Sequence, residues 1–168
     1  MAFYSVDPQI GVSVLTDTNT TALNTLGSIV KGRDDSYGEG EFIYLLGVGS
    51  TVAGSVVTYN TSTWQTTLSP TTGANGAPIA VALSANVASQ YGWYQISGVA
   101  TVKKTAVKIN PDVKLYVSGT AGRLYATASA GKLVQGAKSA NLATVVSATS
   151  TVLVMLDRPH LRGVTSAI

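Results

Sequence analysis

Cysteine is absent from the 168 residues, so neither a disulfide framework nor a thiolate metal site is available. Histidine occurs once, at His160. Charge is scarce: Asp, Glu, Lys and Arg make up 11% of the chain, against about 25% in ordinary soluble domains. Between Glu41 and Lys103 none of these residues occurs, an uncharged run of 61 residues from Phe42 to Val102. No stretch approaches the roughly 18 apolar residues of a membrane-spanning helix. The opening "MAFYSVDPQIGVSVL" lacks the basic region and long apolar core of a signal peptide. These absences predict a soluble protein made in the cytoplasm, with no membrane partner. Sustained helical periodicity is also missing, and "NTTALNTLGSIV" offers one or two helical turns at most.

Val, Leu, Ile and Tyr are plentiful and the net charge is only +3, which argues against disorder throughout. The polar surface has to come from Ser, Thr, Asn and Gly. Such a surface repels neighbours weakly and suits a chain that packs against other chains. From Glu41 onward, short β-rich runs recur at the intervals of all-β sandwiches and barrels: "EFIYLLGV", "TVAGSVVTY", "TWQTTLS", "PIAVALSA", "GWYQISGVATVKK", "KLYVSG", "RLYATAS", "KLVQGAK", "LATVVSA" and "TVLVMLD". Turn formers separate them. Asn75-Gly76 carries the strongest hairpin signal, because both residues tolerate positive φ. Pro111 after Asn110 marks another turn. The expected fold is all-β, a small barrel or sandwich spanning residues 41–168. Residues 1–40, with only short apolar pieces, are expected to form an extended arm or long loop, of the kind often ordered only against a partner.

"YGWYQISGVATVKK" is the most informative strand. Period-two alternation puts Tyr94, Ile96, Gly98, Ala100 and Val102 on one face. Trp93, Gln95, Ser97, Val99, Thr101 and Lys103 take the other. Gly98 predicts a bulge or sharp bend. Both faces are partly apolar, so this is either a central strand of a monomeric sandwich or one that also contacts another subunit.

Candidate chemistry is thin. His160 lies in "DRPHLRG" near Asp157, but no G-x-S-x-G elbow supports a serine triad. In "GVGSTVAG", Val52 stands where a dinucleotide-binding loop needs its third glycine. The carboxylates of "DDSYGEGE" (Asp34, Asp35, Glu39 and Glu41) lack the calcium-loop spacing and fit a polar turn. Trp64 and Trp93 raise a sugar-stacking platform as an alternative, although large aromatics in β-rich chains are more often core. Residues 101–168 hold nine Lys or Arg against two acids. Those bases are scattered singly, which argues against nucleic acid as a partner. No enzyme activity and no cofactor are expected.

The successions "LGSIVKGRDDSYGEGEFIYLLGVGSTVAGSVVTYN", "PIAVALSANVASQYGWYQISGVATVKK" and "STVLVMLDRPHLRG" resemble the head decoration, or capsid cement, proteins of tailed bacteriophages. The likeness covers most of the chain after about residue 25. "YGEGEFIYL", "SANVASQYGWYQISG" and "DRPH" are its most distinctive parts. It implies a β-tulip-like or jelly-roll-like β domain with an N-terminal arm. It also implies a homotrimer on the outer surface of the virion, bridging major capsid protein subunits and stabilising the head. The contact residues expected on this reading are Lys31, Arg33, Asp34, Asp35 and Glu39, with Arg158, His160 and Arg162 as a second group. Trp93 and Tyr94 are expected in the packing of the β domain and its subunit contacts. Deleting residues 1–25 is then expected to weaken head binding while the β domain stays folded. The competing class is a carbohydrate-binding or adhesin-like sandwich.

Overall fold

The computed structural model describes residues 3–5, 13–73 and 76–163. Twelve strands lie in it without a helix: β1 Phe3–Ser5, β2 Thr18–Asn19, β3 Ile29–Asp34, β4 Gly38–Leu46, β5 Val56–Tyr59, β6 Thr66–Leu68, β7 Ile79–Ala82, β8 Tyr91–Lys103, β9 Lys114–Val117, β10 Leu124–Tyr125, β11 Leu133–Ser139 and β12 Thr151–Leu161. They form one curled antiparallel sheet, a half-barrel, whose main path runs β1-β3-β4-β8-β12-β11-β9-β10. The all-β expectation holds.

The thirteen-residue β8 is the hub of this sheet. One edge pairs with β4 from Tyr91 to Ser97. Its other edge is taken in succession by β2 at Tyr91–Gly92, β7 at Tyr94–Gln95 and β12 from Ser97 to Lys103. Three partners on one edge require that strand to bend. The bend sits where the sequence puts Gly98, whose φ is +88°. The β4 register slips beside it, with Glu41 opposite Ser97 but Phe42 opposite Gln95, so Ile96 is the extra residue of a bulge. Gln95 fills the bend, its Nε2 donating to the carbonyls of Ser97 at 3.0 Å and Val99 at 3.1 Å.

Both faces of the first half of β8 are buried within this chain. Tyr94 and Ile96 join Ile43, Leu45, Val57, Ala80 and Ala82 in one cluster. Ala100 and Val102 belong to the largest cluster, with Leu115, Val134, Val154 and Leu161 among its members. On the opposite face Trp93 packs with Leu15, Val30, Phe42 and Tyr44. Its ring lies 5.0 Å from that of Tyr44, and its indole Nε1 donates to Ser13 Oγ at 3.0 Å.

Two expectations need correction here. Residues 13–40 are not an arm separate from the domain. β3 pairs along its length with β4, Leu15 and Val30 are about 1% exposed, and the proposed boundary falls inside β4. The apolar pieces there looked too short for regular packing because they cover one patch, the Trp93 face of β8. Beneath Trp93 that cover comes from this chain's own N-terminal segment, not from another subunit. "LATVVSA" is not a strand. It keeps a single bridge, Val145 to Ile109, inside an otherwise irregular loop. "NTTALNTLGSIV", read as one or two helical turns at most, has none: it leaves β2 at Asn19, passes through bends and a hydrogen-bonded turn from Thr25 to Ser28, and enters β3. Asn75 of the expected Asn-Gly hairpin lies outside the described residues, while Gly76 has φ +57°.

Candidate functional site

Antiparallel register sets the site. On β3, Lys31 stands opposite Glu41 and Arg33 opposite Glu39. Glu41 is in turn opposite Ser97 of β8, and Ser97 opposite Asp157 of β12. Directly opposed residues share a face, so Lys31, Glu41, Ser97 and Asp157 form one polar rung across four strands. Arg33 and Glu39 form a shorter rung beside it. All but the half-buried Glu41 and Ser97 are exposed.

Arg158 follows Asp157 and would leave by the opposite face in a regular strand. Here β12 bulges: between the pairs Gln135–His160 and Ala137–Leu156, one residue of β11, Gly136, faces three of β12, Asp157, Arg158 and Pro159. Pro159 explains this, because it brings no N–H to the ladder and its ring fixes the local path. The cost appears at Arg158, a non-glycine residue with φ +41°. The turn brings Arg158 Nε to 2.9 Å from Glu41 Oε2. Glu41's hydrogen bond and charge hold the guanidinium above its ordinary pKa. Lys31, Glu39, Glu41, Ser97, Asp157 and Arg158 surround an open depression of about 340 Å³.

The structure therefore joins Lys31 and Glu39 of the first expected group to Arg158 of the second. Arg33 and Asp35 are exposed neighbours 3.8 Å apart, a pair that stabilises little in water. Asp34 is corrected. It is 4% exposed and caps the β3–β4 turn, its Oδ1 accepting from the N–H groups of Ser36 at 2.7 Å and Tyr37 at 2.9 Å. Such Asx-turn geometry draws the carboxylate back onto its own backbone. Trp93 and Tyr94 are corrected as subunit contacts: both are buried, on opposite faces of β8. Burial pushes the Tyr94 phenol up to about 12.

His160 is exposed on β12 and stands opposite Gln135. Arg162 lies just past that strand, beside an open groove of about 760 Å³ shared with Lys114, Leu133, Lys138 and Met155. These two residues lie outside the depression around Arg158. Trp64 stacks on Tyr59 at 6.4 Å and packs beside the Tyr94 cluster. It shares no face with the buried Trp93. Among the described residues no three Asp, Glu or His side chains converge as ion ligands.

Sequence reasoning left out the central pair, Glu41 and Asp157, as contact residues. Pro159 inside a strand-like run was the signal for the bulge that turns Arg158. Finding Glu41 as its partner required the long-range register of β12 with β8. Compared with protein-family models, curated proteins and solved structures, the chain matches none of them.

Proposed function

We propose that this chain is a non-catalytic structural protein that decorates the outside of a bacteriophage head and stabilises contacts between major capsid subunits, as a homotrimer. The observation that carries the reading is the charged rung from Lys31 to Asp157, with Arg158 folded over Glu41. It is a largely exposed array of mixed sign set on a sheet, around an open depression. Arrays of this kind give register and orientation to a protein contact more than raw affinity. Each contact is weak, and repetition over an icosahedral shell multiplies the total. The sequence resemblance supplies the identity of the partner.

The test mixes purified protein with undecorated heads, after its mass has been measured by light scattering. The expected result is a trimer that co-sediments with heads at saturating occupancy. A Lys31→Glu/Arg158→Glu variant is expected to fold and to lose occupancy. A monomer that ignores heads refutes the proposal.

A further inference from the structure

The groove beside Arg162 begins in the backbone, where β11 is out of register with both of its neighbours. Toward β12, Gly136 alone faces Asp157, Arg158 and Pro159, and a Cβ on it would lie 2.5 Å from the Asp157 carbonyl oxygen. Toward β9, the pairs Leu133–Tyr116 and Lys138–Lys114 enclose four residues of β11 but only Leu115 of β9. β11 thus lies tight on β12 at Gly136 and parts from β9, and the sheet opens between them. The groove of about 760 Å³ lies over that opening. A second depression of about 530 Å³ continues it beside the turn at 128–131, and Lys114, Leu133 and Arg162 border both.

Register also sets the chemistry of its walls. Lys114, Lys138, Met155 and Val99 stand in one rung across the outer face of β9, β11, β12 and β8. Met155 is 41% exposed, and Leu133 and Tyr116 are half-buried. Around these side chains stand three exposed cations, Lys114, Lys138 and Arg162, against one carboxylate, Asp157. Among the described residues neither Lys114 nor Arg162 has an ion pair. Lys138 holds Asp112 at 2.7 Å, but both side chains are more than half exposed, so that pair is weak and replaceable. An apolar centre with Met and Tyr inside a charged rim is the anatomy of a protein contact.

We infer that this groove binds an extended acidic segment of a partner protein, with carboxylates on Lys114 and Arg162 and an apolar side chain on Met155 and Leu133. Charge complementarity sets the sign of the occupant, and Asp157 sets its class. A nucleic acid or a sulfated glycan carries negative charge along its whole length and would be opposed where Asp157 lines the groove. A peptide can bring carboxylates to the three cations and a main-chain N–H or a cationic side chain to Asp157. The inference rests on the groove's own chemistry and not on the decoration reading. It adds a second contact surface to the charged rung, which it meets at Asp157.

The test uses the full-length protein and two fluorescein-labelled peptides, Gly-Glu-Leu-Glu-Gly and Gly-Asp-Glu-Leu-Glu-Asp-Gly, read by fluorescence polarisation. At least one should bind saturably, and more weakly as salt rises. Lys114→Glu combined with Arg162→Glu should weaken binding at least about tenfold, because two attractions become repulsions. Lys31→Glu combined with Arg33→Glu changes the net charge equally at another place and should leave affinity within about twofold at physiological salt. Met155→Ser keeps the charge and should weaken binding by about threefold or more. All five positions are exposed, so the urea midpoints should stay near that of the wild type. Bound peptide should slow amide exchange at residues 133–138. Failure of both peptides to bind overturns the inference, as does equal binding by the Lys114→Glu/Arg162→Glu variant. An oligothymidine of the same charge that binds as tightly also overturns it, since the groove would then be a general polyanion surface. So does a wild-type oligomer that falls to monomer in that double variant, because a second copy would then fill the groove.

Discussion

Gly98→Ala tests the hub directly. Gly98 has φ +88°, and a Cβ built there would sit 2.5 Å from the Glu39 carbonyl oxygen and 3.0 Å from Gly40 Cα. Both neighbours are backbone, so no side chain can swing aside. The left-handed conformation costs a non-glycine residue roughly 1–2 kcal/mol, and overpacking a close contact adds about 1–3 kcal/mol. Together they amount to about 2–5 kcal/mol, a large part of the 5–15 kcal/mol typical of a folded domain. Gly38→Ala is the internal control: its φ is +84° but nothing lies within 4 Å of the added Cβ. It should lose the conformational part alone. In urea, with a slope of about 2 kcal/mol per molar, Gly98→Ala should unfold at a midpoint lower by about 1–2.5 M. Gly38→Ala should shift it by less than about 1 M by the same slope. Equal shifts would refute the close approach of β4 to the bulge, and with it the register of the charged rung.

Leu15→Ala should cost about 2–5 kcal/mol, the range for emptying a buried leucine site. Loss of residues 1–25 should unfold the domain, since it removes both Leu15 and the Ser13 acceptor of Trp93; a truncated protein with unchanged urea midpoint would restore the detachable arm. Tyr94 predicts a pH dependence. Its folded pKa of about 12 lies above the ordinary value of 10.0, so between those values the unfolded chain has released a proton that the native state still holds. Stability should fall over that window by up to about 2–3 kcal/mol, and Tyr94→Phe should flatten the fall; an unchanged slope would argue that the phenol is hydrated. Charge reversal at Lys31 and Arg158 should leave the urea midpoint near that of the wild type while head binding is lost, because those side chains are exposed. Loss of both together would place them in the fold's own support.

The all-β class and nine of the ten quoted strand runs were legible because alternation and turn chemistry are local. Gly98 was legible for the same reason. "LATVVSA" misled because β-branched residues carry strand propensity wherever they fall, whereas Asn141 and Lys104 hold that segment from outside it. The burial of residues 13–30 was hidden by distance: Ser13 and Trp93 are 80 positions apart. Among the site residues, Asp34 belongs to the polar turn read in the sequence, but its burial there removes it from the contact residues, and no local pattern joins Arg158 to Glu41, 117 positions away.

Burial accounts for part of the uncharged run from Phe42 to Val102. A charged side chain on β7 or on the first half of β8 would enter an interior where an unpaired ion costs several kcal/mol. The loops within the same run are a different matter. Gly49, Ser50, Val52, Ala53, Asn60–Thr63, Ala85 and Val87–Ser89 are exposed, and nothing about their solvation forbids Lys or Glu. A solitary domain gains solubility by placing charge at such positions. Charge is absent from all of these loops, while the rung carries Lys31 on β3, Glu41 on β4 and Asp157 and Arg158 on β12. One sheet thus presents two surfaces of different chemistry. The uncharged one repels no neighbour of either sign. The charged one suits a partner whose own pattern can be complementary.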